Sequence, residues 1–289
     1  MTGAIGDGPG AQPATAPSCY RHPGRETNIR CVRCGRPICA DCMIDAPVGF
    51  QCPECVRAAA RGTAQRRTVL GGRVTSDPAA VTKVLLALNA VVYVATLVLD
   101  TVVERLALVS LAGSPSGAIG VATGEWYRLL SAPFLHLQVW HIALNMYALW
   151  LVGPPLEALL GRWRYAALYL VSGVAGSAAS VLFLPPGVPS LGASGAVFGL
   201  LGATFVVGRR LDRDTSMATS MIVLSGVLGF VVPNIDWRGH LGGLIGGAVI
   251  GAVMAYAPRK GRTVASLAGC AVVLAAALVL ALVRTNQLR

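Results

Sequence analysis

The stretch Leu191-Gly192-Ala193-Ser194-Gly195-Ala196-Val197-Phe198-Gly199 carries one polar side chain, Ser194, in an apolar, glycine-rich run. A second run of the same character, Gly239-His240-Leu241-Gly242-Gly243-Leu244-Ile245-Gly246-Gly247, contains His240. Each run opens a segment of roughly membrane-spanning length. Serine and histidine can act as a nucleophile and its general base, and polar side chains within a membrane are often functional. Ser194 and His240 are therefore candidate catalytic residues.

The composition predicts an all-α polytopic membrane protein. Of the 289 residues, 54% are hydrophobic and only 13% are charged, and the mean hydropathy is +0.63. With about 20 apolar residues needed for each span, we expect seven spans. They lie near Val81–Leu99, His141–Leu151 with its flanks, Tyr165–Leu184, Ser194–Val207, Met217–Val232, His240–Tyr256 and Val264–Val283. We expect Pro154 and Pro155 to end the second span and Gly208-Arg209-Arg210 to end the fourth.

Lysine and arginine concentrate in alternate loops. They precede the first span and follow the second, fourth and sixth, whereas the intervening segments carry fewer. Because short basic loops stay in the cytoplasm, this pattern predicts a multi-pass protein of the cell membrane with a cytoplasmic N-terminus and an external C-terminus. Ser194 and His240 then face the same outer side. The basic loops and the N-terminal region explain most of the net charge of +11, so we expect no nucleic-acid binding.

Further polar side chains enter the second span at a matching depth. His141 and Asn145 are four residues apart, on one face of a helix, and could donate hydrogen bonds to a developing oxyanion. The alternative is that each polar group only bonds to a neighbouring helix. Near His240, glycines recur every four residues, which lets another helix approach closely, although such faces are common in membrane bundles.

The region from Val81 to Tyr256 resembles the rhomboid intramembrane serine proteases. The resemblance rests on Gly192-Ala193-Ser194-Gly195, on His240 before a glycine-rich span, on the series His136, His141 and Asn145, and on Trp126-Tyr127-Arg128. It implies a rhomboid-like six-helix bundle over residues 80–257, followed by one additional C-terminal transmembrane helix.

The resemblance also implies roles for individual residues. Ser194 is expected to be the nucleophile and His240 the base of a dyad without an aspartate. His141 and Asn145, with the backbone N–H of Ser194, are expected to bind the oxyanion. Glu157 matches a family position with a structural role. The expected substrates are transmembrane segments of other membrane proteins, and catalysis requires no cofactor.

One position departs from the family pattern. Members often carry a tyrosine four residues after the serine, whereas this chain has Phe198, so the ring is kept and the hydroxyl is lost.

The alternative function is that of a non-catalytic rhomboid-like protein that binds membrane clients, although such proteins typically lack the serine or the histidine. Intramembrane zinc and aspartyl proteases are disfavoured by their missing motifs, and a transporter by the lack of charge deep in the spans.

A separate cysteine-rich module precedes the spans. Its close pairs are Cys19/His22, Cys31/Cys34, Cys39/Cys42 and Cys52/Cys55, which supply the eight ligands of two tetrahedral zinc ions. The spacing resembles a B-box-type zinc finger. That resemblance implies crossed pairing, in which the first and third pairs hold one ion and the second and fourth the other. A disulfide framework conflicts with a cytoplasmic location.

These patterns divide the chain into five parts. Residues 1–17 are expected to be disordered, 18–56 to form the zinc module, and 57–79 to be a basic linker on anionic lipid. Residues 80–257 form the protease core, and 258–289 contain a cytoplasmic loop, the seventh span and a short tail. The zinc module is expected to bind a cytoplasmic protein or the cytoplasmic tail of a client. Cys270 is expected to be an ordinary buried side chain of the last span.

Overall fold

A computed structural model describes residues 16–62, 67–99, 101–114, 117–232 and 235–289. The chain divides into two compact units, Met1–Gln65 and Arg66–Arg289. Most of the segment predicted to be disordered, residues 1–15, lies outside the described residues.

The first unit is small and built around its cysteines. Strand β1 pairs antiparallel with β2, β3 pairs antiparallel with β4, and a short 3₁₀ turn lies between the two hairpins. The buried core consists of Ile38 and five cysteines. A core with so few aliphatic side chains contributes little hydrophobic stabilisation, so the fold needs another source of stability. The elements are β1 (Ser18–Cys19), β2 (His22–Glu26), β3 (Ile44–Asp45), β4 (Phe50–Gln51) and α1 (Pro53–Gly62).

The second unit is a helical bundle with one small hairpin in the connection after its first long helix. Its main core lies between the long helices and includes Leu149, Leu168, Leu200 and Ile250. The elements are α2 (Ala80–Val98), α3 (Thr101–Leu106), β5 (Ala112–Ser114), β6 (Gly117–Ile119), α4 (Arg128–Ser131), α5 (Val139–Leu160), α6 (Arg162–Phe183), α7 (Ser194–Arg210), α8 (Ser216–Val231), α9 (Trp237–Tyr256) and α10 (Arg262–Leu288).

Each of the seven predicted spans corresponds to one helix in the described part of the bundle. Two of these helices, α7 and α8, are shorter than the other five. Among the described residues, α2, α5, α6, α9 and α10 are long and apolar enough to cross a membrane. Helix α7 has 17 residues and α8 has 16, which is about 25 Å of helix against about 30 Å of hydrocarbon. Helix α7 can be short because protein surrounds it, with Leu200, Leu201 and Ala203 at most 1% exposed.

The second span does not end where we expected. Helix α5 continues through Pro154 and Pro155 to Leu160. The residues beyond the prolines are buried, and Leu156 and Leu160 belong to the main core. Tertiary packing therefore outweighs the local cost of the two missing backbone N–H donors, as is common in membrane helices.

Glu157 ties this extended end of α5 to the first turn of α2. Its carboxylate is almost fully buried and accepts hydrogen bonds from the backbone N–H groups of Val81 and Thr82 and from the Thr82 hydroxyl, each at 2.9 Å. It thus serves as a cap supplied by another helix for backbone groups that lack an intrahelical partner.

The predicted linker differs in structure along its length. Residues up to Gly62 continue helix α1, whereas Arg67 and Arg73 form the bridge of a tight hairpin in the second unit. Leu70, inside this hairpin, is 2% exposed and belongs to the bundle core. The hairpin is therefore part of the bundle rather than a free connection.

Helices α7 and α9 pack with their backbones in contact. A Cβ atom added to Gly243 would lie 1.9 Å from the carbonyl oxygen of Gly195, and one added to Gly247 would lie 2.1 Å from that of Gly199. Only glycine allows this approach, because the opposing atoms are backbone and cannot move aside. The glycine repeat predicted from sequence thus defines the α7–α9 contact.

We predict that Gly247→Ala lowers the free energy of unfolding by about 2 kcal/mol or more, because the added methyl group forces α7 and α9 apart. The control is Gly226→Ala in α8, where no atom lies within 4 Å of the added Cβ. It should leave stability unchanged or raise it slightly, since alanine favours the helix. Denaturant titration of the purified protein in detergent measures both. Equal stability of the two variants would contradict the close contact.

Candidate functional site

Ser194 begins helix α7 after a tightly held turn. Gly192 has a φ of +124°, and a Cβ there would lie 2.7 Å from the His141 ring. The backbone N–H of Ala193 donates to Nε2 of the fully buried His136 at 3.4 Å. Glycine at 192 and the two histidines therefore fix the turn that presents the serine.

The structure brings Ser194 and His240 together. His240 lies in the first turn of α9, and its Nε2 is 2.8 Å from Ser194 Oγ. The ring of Phe198, one turn along α7, stacks on the His240 imidazole with centroids 4.3 Å apart and planes at 11°. The phenyl ring therefore keeps the imidazole oriented without the tyrosine hydroxyl.

The other ring nitrogen of His240, Nδ1, does not bond to a carboxylate of any described residue. Within the described part of the chain, Nδ1 is buried and has no hydrogen-bond partner. The nearby Asp236 carboxylate instead accepts hydrogen bonds from the hydroxyls of Ser180 and Ser190 and from the backbone N–H of Gly239. Among the residues that the structure describes, the arrangement is thus a serine–histidine pair without an acidic third member.

Asp236 is a positioning residue that the sequence reasoning missed. It caps the N-terminus of α9, which carries His240, and joins it to α6 through Ser180 and to the segment before α7 through Ser190. The signal was available, because an aspartate three residues before a glycine-rich helical run is a typical N-cap. His136 was noted in the family series, but its contact with Ala193 was not foreseen.

The two candidate oxyanion donors lie on α5, and His141 contacts the turn that precedes the serine. His141 packs against Gly192, as described above. The side-chain amide of Asn145 donates to the carbonyl of His141 at 2.9 Å. An amide nitrogen carries two N–H bonds, so this contact leaves one for a substrate. Their role toward an oxyanion stays a prediction.

The family motif in the first loop has a structural role. Arg128 is 2% exposed and donates to the carbonyls of Glu104 and Ala107 and to the Glu125 carboxylate. Although burial opposes ionisation of Glu125, the bond from Arg128 and the Gly120 backbone N–H hold the pKa of this carboxyl below its usual range. The buried guanidinium therefore fastens the loop between α3 and α4.

The first unit brings the eight cysteine and histidine ligands together in two groups. Cys19, His22, Cys39 and Cys42 form one group and Cys31, Cys34, Cys52 and Cys55 the other, with the ligand atoms of each within 4.8 Å of one another.

The distances within these groups fit a tetrahedral metal ion. Two sulfurs bound to one zinc ion at about 2.3 Å lie about 3.8 Å apart. Cys34 and Cys52 have their sulfurs 3.8 Å apart, and His22 Nδ1 lies 3.2 and 3.5 Å from the sulfurs of Cys39 and Cys42. Burial opposes the Cys31 thiolate, but hydrogen bonds from the backbone of Cys52, Cys34 and Arg33 outweigh it and lower the pKa of Cys31 to about 6. The donor set is that of a structural zinc site.

Comparison with known proteins identifies the family of the bundle. A family model for the rhomboid domain matches residues 123–257. The putative rhomboid protease YdcA of Bacillus subtilis is 34% identical over 137 residues, which are 46% of this chain and 69% of YdcA. The chain belongs to the rhomboid family. The matched region of the rhomboid domain contains Ser194, His240, His141 and Asn145.

Other relatives share the domain but are longer. The rhomboid protease GluP of Bacillus subtilis is 44% identical over 147 residues, which are 49% of this chain and 28% of GluP. RHOMBOID-like protein 4 of Arabidopsis thaliana is 37% identical over 143 residues, 47% of this chain and 36% of the relative. The chain thus covers about a third of the length of these two proteins. The rhomboid domain and the five membrane-length helices found among the described residues make this an integral multi-pass membrane protein.

We predict that Asp236→Ala lowers the free energy of unfolding by about 2–3 kcal/mol, because it removes the α9 cap and the acceptor of the Ser190 hydroxyl, and leaves Ser180 to donate to the Gly176 carbonyl alone. Asp214→Ala is the control, since Asp214 is exposed and its carboxylate accepts hydrogen bonds from Ser216 within its own turn. The Asp214 substitution should lower the free energy of unfolding by about 1 kcal/mol or less. Denaturant unfolding of both variants in detergent measures this free energy. An Asp236 variant as stable as the Asp214 variant would contradict a positioning role for Asp236.

Proposed function

We propose that this chain is an intramembrane serine endopeptidase that cleaves transmembrane segments of other membrane proteins. The observation that carries the proposal is the 2.8 Å separation of His240 Nε2 and Ser194 Oγ, with Phe198 stacked on the imidazole. The rhomboid domain and the protease names of its relatives give independent support.

The dyad provides both proton transfer and the nucleophile. His240 Nε2 takes the hydroxyl proton as Ser194 Oγ attacks the scissile carbonyl carbon. The resulting imidazolium protonates the leaving amine, which gives an acyl-enzyme and the first product. A water molecule, deprotonated by the same imidazole, then attacks the ester, and the serine recovers its proton.

The tetrahedral intermediate carries a negative oxygen that needs fixed donors. We assign this role to His141, Asn145 and the backbone N–H of Ser194. The position of His141 beside Gly192, two residues before the nucleophile, supports the assignment. Donors held by helix α5 and by the start of α7 need no rearrangement during the reaction.

The substrate must expose a peptide bond at the depth of the dyad. A bond inside an intact helix is shielded by the helix's own side chains and hydrogen bonds. We therefore infer a preference for transmembrane segments that unwind locally, at small or helix-breaking residues. The basic loops support an orientation with the dyad toward the outer face of the cell membrane and the N-terminus in the cytoplasm.

The dyad is tested by cleavage of a model transmembrane substrate. Ser194→Ala and His240→Ala should each abolish cleavage, and the double variant should be no worse than either, because the two residues act as a unit. Ser225→Ala in α8 is the control and should cleave normally. Substantial cleavage by folded Ser194→Ala protein would overturn Ser194 as the nucleophile. No cleavage by the folded intact protein would favour the non-catalytic, client-binding alternative.

We further propose that the first unit holds two structural zinc ions in a B-box-type arrangement. The two separate ligand groups, each of tetrahedral size, support this pairing. With all eight ligands on metal, no cysteine of the pairs remains for chemistry. The module is then a binding module, and its partner is a cytoplasmic protein or the cytoplasmic tail of a client.

Metal analysis of the full chain tests the zinc proposal. Intact protein should contain about two zinc ions, and Cys34→Ser and Cys42→Ser should each reduce the content to about one, because they disrupt different groups. Cys270→Ser should retain both ions, since Cys270 lies in α10 away from either group. Loss of both ions in each single variant would contradict two separate sites.

The same variants test whether the two units act independently. The dyad needs no metal, so the Cys34 and Cys42 variants should cleave a generic transmembrane substrate at the rate of the intact chain. Loss of cleavage in folded variants would make the zinc module part of the catalytic apparatus.

A further inference from the structure

Three arginines converge at the end of the bundle opposite the dyad. Arg164 lies in the first turn of α6, Arg262 begins α10, and Arg67 lies in the hairpin beside them. A Cβ placed on Gly71, the turn of this hairpin, would lie 3.6 Å from Nη1 of both Arg164 and Arg262. Two guanidinium groups therefore face one another across Gly71.

Arg164 is buried with only part of its hydrogen bonding satisfied. It is 3% exposed, and it donates to the carbonyl of Leu160 at 3.3 Å and to the hydroxyl of Thr263 at 3.2 Å. Its guanidinium also lies over the Trp163 ring. All these partners are neutral, and its Nε has no partner among the described residues.

Among the described residues, the partners of the other two guanidinium groups are backbone carbonyls. Arg262 donates to Ala257 and Val69, and Arg67 donates to Gly71. Each terminal guanidinium nitrogen carries two N–H bonds, so several donors remain after these contacts.

The cluster has no counter-charge from the described protein. The ion pairs there are Arg25–Asp41, Arg36–Glu54, Lys83–Asp77 and Arg128–Glu125, and none involves the three arginines. The charged side chains that act on Arg164 are Arg262 and Arg67, both cationic. Glu157, the acidic residue of α5, already accepts hydrogen bonds from the first turn of α2. A buried cation among like charges is unfavourable unless an anion compensates it.

We propose that Arg164, Arg262 and Arg67 form a binding site for the phosphate group of an anionic phospholipid. Guanidinium groups match phosphate oxygens in shape and charge, and basic pockets between transmembrane helices typically bind lipid headgroups. Trp163 is 43% exposed beside the cluster, as aromatic residues at the membrane interface often are. On α10, Val264 and Leu267 are 72% and 56% exposed and offer an apolar surface for the acyl chains.

The site is tested on the full-length, zinc-containing protein in detergent. The probes are a short-chain phosphatidylglycerol, the matching phosphatidylcholine and inorganic phosphate. Phosphatidylglycerol at about ten times its dissociation constant should raise the unfolding temperature of the intact protein by about 3–5 °C. Phosphatidylcholine, which carries no net charge, should raise it less.

Variants that each remove one arginine charge test whether the rise in unfolding temperature depends on the cluster. Arg262→Gln and Arg164→Gln should lose most of the rise. Arg259→Gln should keep the rise, since it removes the same charge from the loop before α10, outside the cluster. The proposed site would be overturned if phosphatidylglycerol raised the unfolding temperature of all three variants equally. It would also be overturned if neither phosphatidylglycerol nor phosphate raised that of the intact protein. If inorganic phosphate gives the full rise and the lipid adds nothing, the phospholipid is overturned as the occupant and the arginines bind the free ion.

A pair of substitutions at Gly71 covers the case in which the arginine variants fail to fold. Gly71 has a φ of +81°, a conformation that asparagine and aspartate tolerate better than other residues. Gly71→Asp places a carboxylate beside both guanidiniums, so this variant should unfold at a higher temperature than Gly71→Asn without lipid and should no longer respond to phosphatidylglycerol. Gly71→Asn keeps the response. Identical behaviour of the two variants would contradict an anion site.

Discussion

The contact between α7 and α9 is the constraint on which the site depends. Ser194 and His240 lie on different helices, and a hydrogen bond between them requires those helices to approach more closely than side chains normally allow. Gly195 and Gly199 on α7 face Gly243 and Gly247 on α9, with backbone against backbone. The 2.8 Å Oγ–Nε2 distance follows from this packing together with the turn before Ser194 and the cap at Asp236.

Much of the fold could be predicted because the signals are local in the sequence. Long apolar runs predict membrane helices, and a glycine every fourth residue predicts close packing of α9 against another helix. The serine and histidine were recognisable as isolated polar residues opening such runs. The cysteine pairs could be grouped because their spacing resembles a known module, and the structure brings together the same two sets of ligands.

The remaining features depend on contacts between distant parts of the chain. Pro154 and Pro155 predict the end of a helix, yet burial of Leu156 and Leu160 extends α5 beyond them. The hairpin around Leu70 has the sequence of a basic linker, although the buried Leu70 and a hydrogen bond from the Thr68 hydroxyl to the Leu159 carbonyl of α5 attach it to the bundle. No local pattern indicates such docking, and none reveals that the arginines near this hairpin have no acidic partner among the described residues.

The activated serine is the central claim, and covalent labelling with a fluorophosphonate probe tests it most directly. The probe reacts with a serine whose proton a neighbouring base accepts. The full-length protein should be labelled at Ser194, labelling should disappear in Ser194→Ala, and it should fall sharply in His240→Ala, while Phe198→Tyr should remain labelled because the stacked ring is kept. Equal labelling of folded Ser194→Ala and intact protein, or no labelling of folded intact protein, would contradict the account.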